Sequence, residues 1–122
     1  MDKYKRDYYQ KMIKKDRLVP VYEDKRLLGM ITFYIGNGDA TKYIRDDMWS
    51  IVEDEPKTGK TCYVDHCVTD RNPKNKKHSF IVFKKFIIYI KQVFPQVEEV
   101  RWNRFKKGVS YVRRKSIRKR RI

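Results

Sequence analysis

Acidic residues are nearly missing from the second half of this sequence: downstream of Asp70 only Glu98 and Glu99 stand against 18 lysines and arginines. Upstream, 13 basic and 13 acidic residues cancel, so the whole net charge of +16 lies in residues 71–122. Such an asymmetry points to a polyanion as partner, nucleic acid foremost, because a cationic stretch releases condensed counterions when it neutralises phosphates. A long apolar run is missing too. The longest, Phe86 to Ile90, falls far short of the roughly 20 residues that cross a bilayer. No apolar stretch follows the charged N-terminus, which predicts a soluble, cytoplasmic protein without a secretion signal or membrane partner.

Cysteine and histidine are scarce. Cys62 and Cys67 fall five apart in one predicted strand, where regular alternation places their side chains on opposite faces and forbids a bridge. Reduced, buried thiols are the expectation. Neither cysteine has metal-ligand spacing around it, which argues against zinc. Asp46, Asp47, Glu53, Asp54 and Glu55 supply the carboxylates a hard cation wants, but without a recognised ligand spacing, and read as a solvated, charge-balancing loop. No metal and no internal repeat is expected.

What is present suffices for one folded domain: 122 residues, 40% of them apolar and 14% aromatic, which a disordered chain of this charge would lack. Tyr4, Tyr8, Tyr9, Met12 and Ile13 recur at helical spacing, predicting a helix over 3–15. Leu18 to Tyr22 and Leu27 to Ile35, rich in β-branched and aromatic residues, flank the polar turn Glu23-Asp24-Lys25-Arg26 and predict a β-hairpin. Thr41 to Ile51 has a weaker helical pattern, and Cys62 to Val68 reads as a buried strand. Asp70 to Ser79 is polar, with Ser79 placed to cap the next helix. That helix spans Phe80 to Phe94, with Phe83, Phe86, Ile87, Ile90 and Phe94 on one face, Lys84, Lys85 and Lys91 toward water, and Pro95 closing it. Val97 to Trp102 is a further strand, Lys106-Lys107-Gly108 a turn, and Val109 to Val112 a last short strand. From Arg113 onward the residues read as a basic tail.

A hairpin, a third strand, a polar loop, a long helix and a strand is the order of the central part of the GNAT acyltransferase superfamily, and local features resemble it. The stretch Val19-Pro20-Val21-Tyr22-Glu23-Asp24-Lys25-Arg26-Leu27-Leu28-Gly29-Met30-Ile31-Thr32-Phe33 resembles that family's second and third strands, Tyr63 to Asp70 its fourth, and Val97 to Trp102 its fifth. The resemblance covers roughly residues 18–103. It implies an α/β (α+β) fold: a small GNAT-like mixed sheet with a long helix packed on it, residues 1–112 forming the domain and 113–122 the tail. GNAT enzymes open the long helix with Gln/Arg-x-x-Gly-x-Gly/Ala, whose glycines admit the pyrophosphate of acetyl-CoA to backbone N–H groups. Here the matching positions are Lys74, Lys77 and Ser79, so the glycine signature is broken. Asn103 follows the fifth strand as the family's Asn does, but only Arg104 to Ser110 separates it from Tyr111, too few residues for a helix and return strand. Only residues 1–17 precede the hairpin, short of the family's first strand and helix. Small basic chains with such pared-down GNAT-like cores resemble phage-encoded ones, which would place this one in the host cytoplasm or a virion.

The resemblance implies that Asp65 or His66 would serve as general base if the chain were an enzyme; on a regular strand they face opposite ways and only one reaches a cleft. Structural roles for both are the alternative. His78 reads as exposed. Lys74, Lys77 and Ser79 would hold the cofactor if acetyl-CoA binds. Lys74, Lys76 and Lys77 beside a helix N-terminus, with Lys106, Lys107, Arg113, Arg114, Lys115, Arg118, Lys119, Arg120 and Arg121, are the candidate nucleic-acid contacts. Trp102, Phe105 and Tyr111 lie among them and could stack on bases, though Trp102 also suits a core. A basic tail also serves as a solubility or localisation device, which does not require the other half to be neutral. Three functions follow: a non-enzymatic nucleic-acid-binding protein without cofactor, a divergent acetyl-CoA-dependent N-acetyltransferase, and an assembly protein docking on an acidic surface.

Overall fold

The computed structural model describes residues 3–38, 49–53, 55–56, 58–70, 78–106 and 109–118, with the backbone alone at 104–106 and 109–111. Among them, two helices and five strands follow one another as α1 (Lys3–Lys14), β1 (Leu18–Glu23), β2 (Arg26–Gly36), β3 (Thr61–Thr69), α2 (His78–Val93), β4 (Glu99–Lys106) and β5 (Val109–Ser116). The strands form one sheet in chain order. All neighbours are antiparallel except β3 and β4, which α2 links as the crossover that a parallel pair requires.

α1 ends where Asp16 takes the left-handed conformation, with φ of 56°. The amides of Asp16 and Arg17 bond back to the carbonyls of Ile13 and Met12 at 3.0 and 2.8 Å. This Schellman-type closure, more often built on glycine, turns the chain directly into β1. The apolar stripe of α1 is narrower than its spacing predicts: Tyr8 and Met12, one turn apart, are buried, while Tyr4 and Ile13 are exposed.

Alternation along β2 sorts the core into two parts. Ile31, Phe33 and Ile35 meet Val82, Phe86 and Ile90 of α2 on one face. On the other, Tyr34 and Tyr63 pack with Tyr8, Met12 and Val52. The predicted hairpin and the buried face of α2 stand as expected, with Lys84, Lys85 and Lys91 exposed. The predicted helix over Thr41 to Ile51 falls mostly outside the described residues, and Ile51 itself is not helical.

The C-terminal segment differs most from expectation. β4 begins at Glu99 instead of Val97 and runs to Lys106, while Lys107 and Gly108 lie outside the described residues. Arg113 to Ser116, read as the start of a tail, are the second half of β5, and Ile117 is buried in the main core. The boundary after Val112 therefore moves. Ladder pairing of β5 with β4 bonds backbone groups whatever the side-chain charge, and Ile117 anchors the strand's end. Arg118 then donates to the carbonyls of Val97, Lys91 and Phe94 at 2.8, 3.4 and 3.5 Å, closing the C-terminal end of α2. No helix among the described residues is long and apolar enough to cross a membrane.

Candidate functional site

In the β2–β3 ladder Thr32 pairs with His66 and Phe33 with Val64, leaving Asp65 as an extra residue. A bulge of this kind re-aims side chains and breaks strand alternation. Asp65 and His66, expected on opposite faces, therefore converge on α1. The Tyr8 hydroxyl donates to Asp65 Oδ2 at 2.5 Å and lies 2.7 Å from Thr32 Oγ1, which also accepts the His66 amide at 3.1 Å. The His66 ring stands edge-on to Tyr8, with centroids 5.1 Å apart, and stacks on Trp49 at 4.4 Å. Burial, reinforced by the neighbouring Asp65 charge, pushes the Tyr8 phenol far above its ordinary range, so it remains a donor. Asp65, the carboxylate that the resemblance offers as a general base, thus accepts a hydrogen bond from Tyr8.

The bulge also corrects the reading of the cysteines. Cys62 pairs with Ile35 and Cys67 with Ile31, both of which face α2, so the thiols share that face. At about 3.3 Å per residue they are still too distant to bridge, and both are free. Cys62 is buried as expected, but Cys67 is exposed. Desolvation raises both thiols, which leaves neither an activated thiolate at neutral pH.

β3 and β4 are paired over only four residues, the last being Val64 with Trp102. Beyond that pair they part, and an open cleft of about 560 Å³ lies between them, lined by Val64 and Cys67 from β3, Trp102 and Asn103 from β4, and Ser79 and Phe83 from α2. Asp65 belongs to this lining as well. Trp102 is half-buried, edge-on to Phe83 at 4.9 Å, as the core reading anticipates. Ser79 lies within the first turn of α2 and does not precede it as a cap. His78, expected at the surface, is buried, and its Nδ1 has no hydrogen-bond partner among the described residues.

Lys74, Lys76, Lys77, Lys107, Lys119, Arg120 and Arg121 lie outside the described residues, as do the side chains of Phe105, Lys106 and Tyr111. Arg113, Arg114 and Lys115 are exposed on β5. Register places Arg113 beside Trp102 and Lys115 beside Val100 on the α2 face, and Arg114 beside Arg101 on the other. Arg118 is turned inward to its three carbonyls. The acidic loop is less solvated than expected. Glu55 is largely buried, pairs with Arg17 at 2.8 Å and accepts the Ile35 amide at 2.8 Å. Glu53 is exposed, and Asp46, Asp47 and Asp54 lie outside the described residues. Asp70 pairs with Arg26 and Glu99 with Arg101. Among the described residues no three metal-ligating side chains cluster.

No family model matches the sequence, and no curated protein matches it. Solved structures do. GphF, a GNAT-like decarboxylase in complex with isobutyryl-CoA, matches with a TM-score of 0.59 at 10% identity, over 80% of this chain and 50% of its own. A candidate acetyltransferase from Staphylococcus aureus Mu50 matches with a TM-score of 0.57 at 15% identity, over 92% of this chain and 79% of its own. The fold is GNAT-like. The loading GNATL domain of CurA from Lyngbya majuscula agrees, with a TM-score of 0.54 at 10% identity over 80% of this chain and 49% of its own. The chain thus spans about half the length of the GphF and CurA structures.

At these identities the likeness is one of fold. The GNAT-like expectation drawn from element order holds, with a β4–β5 hairpin where the spacing to Tyr111 left no room for a helix. Tyr8 and Thr32 beside Asp65, and Trp49 stacked on His66, have no role in the sequence reading. Tyr8 was visible only as one member of an apolar stripe, and the bulge that turns Asp65 toward it has no sequence signal.

Proposed function

We propose that this GNAT-like chain is a non-enzymatic nucleic-acid-binding protein that holds the phosphate backbone on exposed cations of β5 and α2. One observation carries the reading. Arg113, Arg114 and Lys115 stand exposed on an ordered strand with no ion pair among the described residues, while Glu55, Asp70 and Glu99 are each paired with an arginine. Guanidinium groups on a rigid strand are preorganised for phosphate oxygens. Such contacts give salt-dependent, sequence-tolerant affinity.

The test is fluorescence anisotropy with labelled DNA and RNA across a salt series. The log–log slope should be steep, and each of R113Q, R114Q and K115Q should flatten it by about 0.9 on duplex DNA. Deleting the segment is the wrong control, because it removes β5 and Ile117. Salt-insensitive binding, or binding untouched by the triple substitution, overturns the proposal. An acidic protein that competes with nucleic acid for these cations would favour the assembly reading.

A second reading, a divergent acetyl-CoA-dependent N-acetyltransferase, is favoured by the cleft between β3 and β4. Its Val64, Phe83 and Trp102 suit an acyl and thioester arm, and Ser79 and Asn103 offer polar contacts. The matching pyrophosphate positions Lys74 and Lys77 lie outside the described residues. Acetyl-CoA at 100 times its dissociation constant would stabilise the fold by about 2.7 kcal/mol. An unchanged melting temperature at millimolar coenzyme excludes this reading.

A further inference from the structure

Along the flank of α2 that is turned to β5, Phe80, Lys84, Ile88 and Lys91 succeed one another about a turn apart. This second stripe is neither core nor ordinary solvated face. Phe80 is 69% exposed and Ile88 49% exposed. Between this flank and β5 runs a groove of about 520 Å³, whose opposite wall includes Lys115 and Ile117. Among the described residues, none that lines it is acidic. Lys84, Lys91 and Lys115 have no ion pair among the described residues, whereas Arg118, at the groove's end, is committed to main-chain carbonyls. Phe80 also lines the β3–β4 cleft, so the two concavities meet at its ring.

A groove with apolar and cationic side chains alternating along its helix wall, and Lys115 beside Ile117 on the other, asks for a ligand that alternates flat apolar groups with anionic ones. In a duplex the base faces are stacked on one another, and the phosphates alone would meet the lysines. The exposed Phe80 and Ile88 side chains would then stay in water. A single strand presents both: its phosphates neutralise the rim, and an unstacked base covers the Phe80 ring.

Resting on the nucleic-acid reading, we infer that the natural ligand is single-stranded nucleic acid and that its bases seat in the α2–β5 groove, stacked on Phe80. Lys84 and Lys91 on the helix and Lys115 on the strand hold the flanking phosphates. Phe80 discriminates single strands from duplexes without reading sequence, since every base has a π-face.

Anisotropy with a labelled oligothymidylate and a duplex of equal length tests this. Oligothymidylate should bind more tightly. F80A should weaken that binding about tenfold with an unchanged salt slope, and I88S should weaken it to a lesser degree. Neither should alter duplex affinity, and both positions are exposed, so the melting temperature should hold. K84Q should instead flatten the single-strand slope by about 0.7. If both nucleic acids bind but F80A and I88S change neither, the groove assignment falls and the nucleic-acid reading survives. If neither binds at low salt, both fall. Binding to phosphatidylserine vesicles, or to an acidic peptide, that is tighter than to oligothymidylate and lost in F80A overturns the inference in favour of that occupant.

Discussion

The hydroxyl of Tyr8 donates to the carboxylate of Asp65 at 2.5 Å, tying the first helix to the bulge in β3 across 57 positions of sequence. Y8F removes that donor and leaves Asp65 largely buried. A hydrogen bond to a charged group contributes about 1.5–3 kcal/mol, so Y8F should lower the urea midpoint by the equivalent of that range. D65N keeps an acceptor for the hydroxyl and should cost less.

Stability should fall at alkaline pH. Burial raises the Tyr8 phenol and the Cys62 thiol above their unfolded values. The stabilisation linked to them is full below the unfolded values, about 8.5 for cysteine and 10 for tyrosine. It is lost as pH climbs from there toward the raised folded values, because the unfolded chain releases the protons first. Urea melts at pH 7.5 and pH 10.5 should show the decline, reduced in Y8F relative to its own neutral value. A flat profile between those two values would contradict the burial of both groups.

The end of β5 belongs to the core. I117A should destabilise the fold by about 2–5 kcal/mol, as large-to-small changes at buried positions do. The same substitution in a free tail would be silent in a thermal melt.

Two arginines four apart should behave oppositely. R118M removes donors to three carbonyls at the end of α2 and should cost about 1–3 kcal/mol. R114Q lies on an exposed position and should stay within about 0.5 kcal/mol of the parent, while lowering affinity for nucleic acid.

Much of the fold is legible in the sequence because hydrophobic period reports burial of local segments. The stripe Phe86, Ile87 and Ile90 shows α2, the β-branched runs show the hairpin, and Pro95 marks the stop just past the helix. The candidate site is less legible. Asp65 and Ser79 stand out as residues of interest, but strand alternation misplaces Asp65 because β3 carries an extra residue. His78 looked polar and exposed beside lysines, yet the packing of α2 buries it. The flank Phe80, Lys84, Ile88, Lys91 reads as a ragged edge until β5 is set against it.

What this sequence determines by itself is composition along the chain: the whole net charge lies after Asp70, and apolar residues recur at the periods of one long helix and several strands. Those are one-dimensional facts, and period and charge are local properties. Only the tertiary structure decided where the charge stands. Residues 113–116 look like a soluble tail because their side chains are basic, but their backbone completes a ladder with β4, and Ile117 finds a core assembled from strands far away in sequence. Backbone hydrogen bonding and long-range burial act without regard to local charge, so they turned residues 113–116 from a tail into a strand at the sheet's cationic edge.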